Sequence, residues 1–164
     1  MTQMEQTLRA LDAHGVSYQL YTHPAVFTIE EMEALDLEGK DNVAKNLFLR
    51  NANGKQHFLI VMKKDKHANL KALRQQLGST PLSFASPERL EKHLHLEKGA
   101  VTPLGVLFNS DHDVTVAFDQ DFLGEDAIGV HPCDNRATVF LSFADLRAFV
   151  EAVGNPTCLI ALEG

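Results

Sequence analysis

The sequence predicts a single α/β (α+β) domain in which helices cover a central mixed, largely antiparallel β-sheet. Three observations carry that expectation. Strand-length apolar runs interleave with amphipathic segments along the whole chain, with no linker, repeat or low-complexity stretch between them. Asn53-Gly54 separates two such runs, and both residues tolerate positive φ, a strong hairpin signal that implies antiparallel pairing. Finally, 164 residues, 45% of them apolar and 23% charged, suit one domain (1–164) with a real core and no need of disulfides or metal.

The elements follow from their punctuation. Met4 to Ala13 places Leu8 and Leu11 on one helical face, and His14-Gly15 ends that helix. Val16 to Tyr21 alternates as a strand. Thr28 and Glu31 have capping-box spacing ahead of Met32 and Leu35, so a short helix begins at Thr28. Lys45 to Arg50 and Gln56 to Met62 are the hairpin strands. Asn69 to Leu77 is a helix stopped by Gly78, and Ser86-Pro87 opens another with a serine cap and a proline in its first turn. Leu104 to Asn109 and Val114 to Phe118 read as strands joined by the turn Ser110 to Asp113. Ile128 to Val130 and Ala137 to Leu141 are two more. Ser142 and Asp145 cap a last helix to about Val153, closed by Gly154 and Pro156. The tail Thr157 to Leu162 is either a strand or an ordered extension.

Composition removes several classes of function. No apolar stretch is long enough to span a bilayer, and Met1 to Glu5 lacks the basic head and apolar run of a signal peptide. Cys133 and Cys158 form no Cys-x-x-Cys pair, which fits free thiols in a reducing cytoplasm. A net charge of -7 argues against a generally adhesive nucleic-acid binder. The charge is unevenly spread, however. Glu30, Glu31, Glu33, Asp36, Glu38 and Asp41 crowd one segment; Lys63, Lys64, Lys66, Lys71 and Arg74 crowd another, with Asp65 the only acid among them. That basic run is either a solvated helix face or a patch for one defined stretch of phosphate backbone.

Three segments offer chemistry. Lys45 interrupts an apolar strand, and burying its charge unpaired is unfavourable. Its ammonium therefore either reaches water at a strand end or points into a cleft where it meets a phosphate or polarised carbonyl. Gly99-Ala100-Val101-Thr102-Pro103 is a turn entering the next element, where glycine permits close backbone approach and the amides can donate to an ester carbonyl. His131 stands before Pro132, which holds it extended just after a strand. None of the three is specific alone.

Together they resemble the YbaK/prolyl-tRNA-synthetase-associated domain family of aminoacyl-tRNA editing hydrolases, over roughly His14 to Val153. The residues that carry this are Tyr21 to Thr28 (YTHPAVFT), Ala44 to Leu49 (AKNLFL), Asp65, Leu70 to Leu73, Leu82 to Phe84, Gly99 to Pro103 and His131 to Thr138. Asn46 directly after Lys45 is similar to the freestanding, alanine-directed ProXp-ala or PrdX-like branch, whereas cysteine-directed relatives tend to carry threonine there.

The resemblance implies a trans-editing deacylase that hydrolyses the ester of mischarged proline tRNA, alanine being the amino acid expected. Such an enzyme has a physical reason to exist, since a pocket built for proline rejects a smaller amino acid only weakly, by about 1–3 kcal/mol per methylene. No protein nucleophile, cofactor or metal is required. Lys45 would hold the terminal phosphate or ester end, Asn46 would orient the ester, amides near Gly99 would stabilise the oxyanion, and His131 would orient substrate or water. A free ribose hydroxyl of the substrate would help activate that water. Phe27, Thr28, Leu47, Val101, Thr102, Phe108 and Gly129 would shape the amino-acid pocket. Lys63, Lys64, Lys66, Lys71 and Arg74 would read the acceptor stem. The expected partners are the acceptor end of mischarged tRNA and a prolyl-tRNA synthetase, with no membrane, the protein itself being a cytoplasmic monomer or weak dimer.

Competing readings are a deacylase for cysteinyl- or seryl-tRNA, and an idle tRNA-binding or regulatory module. A thiol hydrolase using Cys133 beside His131 is disfavoured by the intervening Pro132. Metal sites at His93 and His95, or at Asp111 to Asp113, lack ligand spacing and further donors.

Overall fold

The computed structural model describes residues 1–35 and 42–163. Asp36, Glu38 and Asp41, half of the acidic segment, lie outside the described residues. The elements are α1 (Gln3–Ala13), β1 (Gln19–Thr22), α2 (Ile29–Glu33), β2 (Ala44–Arg50), β3 (His57–Lys63), α3 (Leu70–Leu77), β4 (Ser83–Phe84), α4 (Pro87–Leu94), β5 (Val114–Asp119), β6 (Ile128–Val130), β7 (Ala137–Leu141), α5 (Phe143–Val153) and β8 (Thr157–Ile160). No helix among the described residues is long and apolar enough to cross a membrane.

Two sheets result. One has the order β1-β7-β6 and is antiparallel throughout; the other has the order β4-β2-β3-β5-β8. In the second, β2 pairs antiparallel with β3 and β4, whereas β5 runs parallel to β3 and β8. The mixed sheet is therefore as expected. A parallel bridge between Val43 and Gly129 joins the two sheets at the start of β2.

The middle strand β3 shows why the larger sheet is covered on both faces. Phe58, Ile60 and Met62 point to a core shared with Leu49, Leu73 and Ile160, under α3. Leu59 and Val61 point to the main core with Phe118, Leu104, Leu146 and Phe149, under α4 and α5. Strand alternation sends successive side chains to opposite faces, so a strand buried on both reads as a continuous apolar run. A smaller cluster of Val26, Met32, Val43 and Phe140 fills the junction between the sheets.

Helix starts follow the sequence closely. Thr2, Thr28, Ser86 and Ser142 each accept an amide three residues on, and Asn69 accepts the amides of Lys71 and Ala72. Gly78 and Gly154 end α3 and α5 at φ 62° and 119°.

Four expectations need correction. Leu104 to Asn109 is not a strand: Pro103–Phe108 forms a 3-10 helix, with the Thr102 hydroxyl accepting from Leu104 N and Gly105 N donating to Thr102 O. Pro103 supplies the fixed φ, and a run buried continuously from Pro103 to Val106 carries no period to distinguish the two conformations. Consequently no hairpin joins it to β5, which pairs in parallel instead. At the β2–β3 hairpin only Gly54 takes positive φ, 70°, while Asn53 uses its side chain to accept from Lys55 N. Finally, β1 begins at Gln19 rather than Val16, because Val16 N still bonds back to Leu11 O at the end of α1. The undecided tail is strand β8.

Candidate active site

The segment leading to Phe27 is positioned from the β6–β7 turn. His23 N donates to Arg136 O, Val26 N to Asn135 O, and the Asn135 side chain donates back to Val26 O at 2.9 Å. Thr28 then caps α2, and the Glu31 carboxylate reaches back to accept from Phe27 N. These contacts hold the Phe27 ring over Gly99, yet leave it 68% exposed, which is unusual for so large an apolar side chain.

Below that ring, at the seam between the sheets, lies a cavity of about 410 Å³. Lys45 and Asn46 enter it from the start of β2, His131 from just past the end of β6, and Gly99 from the loop after α4. The structure thus brings together all four residues singled out as catalytic, along with Phe27, Thr28 and Val101. Among the described residues Lys45 has no ion-pair partner. Asn46 donates weakly to Ala44 O at 3.5 Å, while its buried Oδ1 has no hydrogen-bond partner. Such an acceptor is unfavourable unless a ligand satisfies it.

His131 is pinned by its Nδ1, which donates to Ala137 O at 2.7 Å. This fixes the tautomer and leaves Nε2 as an acceptor. Burial depresses the imidazole pKa below its ordinary 6.5, the bond to Ala137 opposing that shift, so the ring is neutral near pH 7. His23 lies behind it, ring centroids 6.2 Å apart, with Nδ1 donating to Pro24 O and Nε2 accepting from the Thr138 hydroxyl.

Four expected pocket residues are elsewhere. Leu47 lies further along β2, packed with Leu49 against the core under α3. Thr102 is fully buried with its hydroxyl accepting from Leu104 N. Gly129 packs against Val43 and Phe140, and Phe108 lines a larger neighbouring cavity. Leu47, Thr102 and Gly129 each adjoin a residue that does line the smaller cavity, Asn46, Val101 and Val130.

The basic run also separates. Lys66 is buried between Asp119 at 2.8 Å and Asp121, and the two carboxylates raise its pKa against the opposing effect of burial. Lys63 pairs with Glu125 at 2.7 Å and lies over the Phe122 ring. Lys66 is therefore corrected to a structural cation, while Lys63 is engaged in a partly exposed ion pair. Lys64 lines the 410 Å³ cavity, while Lys71 and Arg74 are exposed on α3. Conversely, the sequence reading missed Glu30 and Lys98, both of which line the cavity. Nothing in their local sequence marks them, since each becomes a lining residue only when loops distant in the chain meet.

Cys133 is buried at φ 63° and its sulfur accepts a hydrogen bond from Thr7. Burial pushes the thiol up to about 12, which removes it as a nucleophile near neutral pH. His93 packs against His57 with ring centroids 4.0 Å apart, and His95 forms the left-handed cap of α4, so the pair does not converge.

A mixed sheet carries a lysine, an asparagine, a glycine loop and a neutral histidine onto one cavity, the set that the resemblance to editing domains implies. A model of the aminoacyl-tRNA editing domain matches residues 23–149, and the chain belongs to that family. It is 48% identical to the prolyl-tRNA editing protein ProX of Acetoanaerobium sticklandii over 155 residues, covering 94% of each chain. It is 36% identical to prolyl-tRNA synthetase associated domain-containing protein 1 of Mus musculus, covering 98% of this chain and 95% of the mouse protein. A solved structure described as a candidate trans-editing enzyme for prolyl tRNA synthetase shares the fold with TM-score 0.77, at 20% identity and over 100% of this chain and 98% of that one.

Proposed function

We propose that this protein is a trans-editing deacylase that hydrolyses the ester linking alanine to mischarged proline tRNA. The observation that carries this is the convergence of Lys45, Asn46, Gly99 and His131 on one cavity of about 410 Å³. The names of the relatives support the prolyl-tRNA part of the reading.

In this mechanism Lys45 holds a phosphate or the ester end of the terminal adenosine as a point charge. The unpaired Oδ1 of Asn46 accepts from the substrate, and amides of the Gly99 loop face the developing oxyanion. Neutral His131 presents Nε2 as an acceptor that orients the attacking water or the ribose. Glu30, the one carboxylate among the described lining residues, suits the α-ammonium of the amino acid. The neighbouring ribose hydroxyl activates the water, so the protein supplies positioning and charge rather than a nucleophile.

Lys71 and Arg74 remain available to the acceptor stem, with Lys64 closer to the ester. The work belongs in the cytoplasm, beside or docked on a prolyl-tRNA synthetase, by a monomer or weak dimer.

The decisive experiment is deacylation of one proline tRNA charged in turn with alanine, cysteine, serine or proline, by wild type and Lys45→Ala. Alanine should be released fastest, and the variant should lose at least a hundredfold. Near-normal activity in Lys45→Ala would remove the assignment. Faster release of cysteine or serine would redirect the substrate, and binding without release would make the protein an idle tRNA-binding module.

A further inference from the structure

The exposed Phe27 ring, Lys98 and Gly99 line two cavities at once. The second, of about 1070 Å³, is over twice the size of the reaction cavity and lies on the far side of this wall. Its remaining lining mixes apolar groups, Leu107 and Phe108, with polar ones, Ser110 and Asn135.

If the aminoacylated adenosine occupies the smaller cavity, as the proposed function requires, the RNA chain must leave it in the 5′ direction. The shared wall offers what a dinucleotide step needs: an ammonium without an ion-pair partner among the described residues, and an aromatic face in contact with solvent. Aromatic faces stack on bases of any sequence, and lysine contacts phosphate as a point charge. The charges beyond the wall decide which part goes where. Glu91, Glu97 and Asp134 line the larger cavity, and although Arg136 grips Asp134 at 2.8 Å, these carboxylates would repel a phosphate placed deep inside. An uncharged base meets no such repulsion.

Resting on the deacylase reading, we infer that the larger cavity is a nucleotide subsite for the residue 5′ to the terminal adenosine of single-stranded RNA. The connecting phosphate crosses the wall beside Lys98, the Phe27 ring stacks on a base, and the 5′ base enters between Phe108 and Asn135.

The test is binding of the uncharged trinucleotide rCpCpA, adenosine and inorganic phosphate, followed by amide chemical shifts. The trinucleotide should bind at least tenfold more tightly than adenosine and should move the Ser110 and Asn135 amides, which adenosine alone leaves in place. Lys98→Ala should weaken the trinucleotide about tenfold and adenosine less than twofold. Lys92→Ala, which removes an equal charge from α4 but lines neither cavity, serves as the charge control and should change neither. Equal affinity for trinucleotide and adenosine, or Lys98→Ala behaving as Lys92→Ala, overturns the inference. Phosphate binding as tightly as the trinucleotide also overturns it, since an anion site would then suffice. Hydrolysis is measured separately: a protein that binds rCpCpA through Lys98 but releases no alanine keeps this subsite and loses the deacylase reading.

Discussion

The ring of Phe27 occupies the space that a side chain on Gly99 would need, a Cβ there coming within 2.6 Å of ring Cδ1 and 2.9 Å of Asn135 Nδ2. Because the ring is largely exposed, it can swing away from an added methyl. Gly99→Ala should therefore destabilise by less than the roughly 1–3 kcal/mol of overpacking a closed core. Deacylation should nonetheless fall at least tenfold, since the displaced ring borders the reaction cavity. Thermal melts beside single-turnover deacylation check this; a large loss of stability with activity intact per folded molecule would contradict it.

His131 gives a pH expectation whose sign is fixed by burial. Its pKa lies below 6.5 in the folded protein, so the acceptor at Nε2 persists as pH falls through that value. The rate ratio of wild type to His131→Ala should stay constant from pH 8 to 6.5 and decline only below. Taking a ratio cancels the intrinsic pH dependence of ester hydrolysis. A ratio that has already collapsed above pH 6.5 would argue against a neutral His131.

A second histidine should govern stability rather than rate. His57 is 2% exposed, accepts from Arg89 at 3.2 Å and stacks on Phe48; burial and then the neighbouring His93 lower its pKa to about 4. The unfolded state, with the ordinary 6.5, binds more protons between those values. Stability should thus be full above pH 6.5 and decline as pH falls toward 4, by up to about 3 kcal/mol from this residue. Urea denaturation of wild type and His57→Gln should show a shallower pH slope in the variant, which keeps an acceptor for Arg89.

Lys66→Ala should act through the fold. Asp119 is fully buried and would keep the amides of Lys63 and Asp121 but lose its cation. Removing one partner of a buried ion pair typically destabilises by about 3–5 kcal/mol. Lys71→Ala, on the exposed face of α3, should leave stability within about 0.5 kcal/mol. Equal melting temperatures for the two variants would refute the structural assignment of Lys66.

Alkylation probes the remaining alternative nucleophile. With its thiol at about 12 and its sulfur buried, Cys133 should react with iodoacetamide far more slowly than a free thiol, and Cys133→Ser should retain deacylation. Complete inactivation tracking modification of Cys133 by mass spectrometry would restore the thiol mechanism.

Much of the fold was legible where side chains speak locally. Thr28, Asn69, Ser86 and Ser142 announce helix starts because each satisfies an amide within three residues, and β3 announces itself by apolar length. Pro103–Phe108 was not legible as a 3-10 helix, because its continuously buried stretch from Pro103 to Val106 hides its period. The site divides the same way. Lys45, Gly99 and His131 stood out as anomalies of charge, flexibility and chain restraint, whereas Lys98 and Glu30 look like ordinary surface residues until the loops meet. Lys66 misled for the converse reason: its partners Asp119 and Asp121 lie more than fifty residues away in the sequence, so the run of lysines appeared free.

The Val43–Gly129 bridge gives the reaction cavity jaws that belong to different sheets. Lys45 and Asn46 are mounted on one and His131 on the other, so the gap is a caliper setting as well as a matter of lining volume. A Cβ on Gly129 would come within 2.9 Å of Val43 Cγ2 and 2.8 Å of the Phe140 ring, wedging the jaws at their pivot. The width of the cavity, and with it the size of amino acid admitted, can then be retuned from a residue that does not line it.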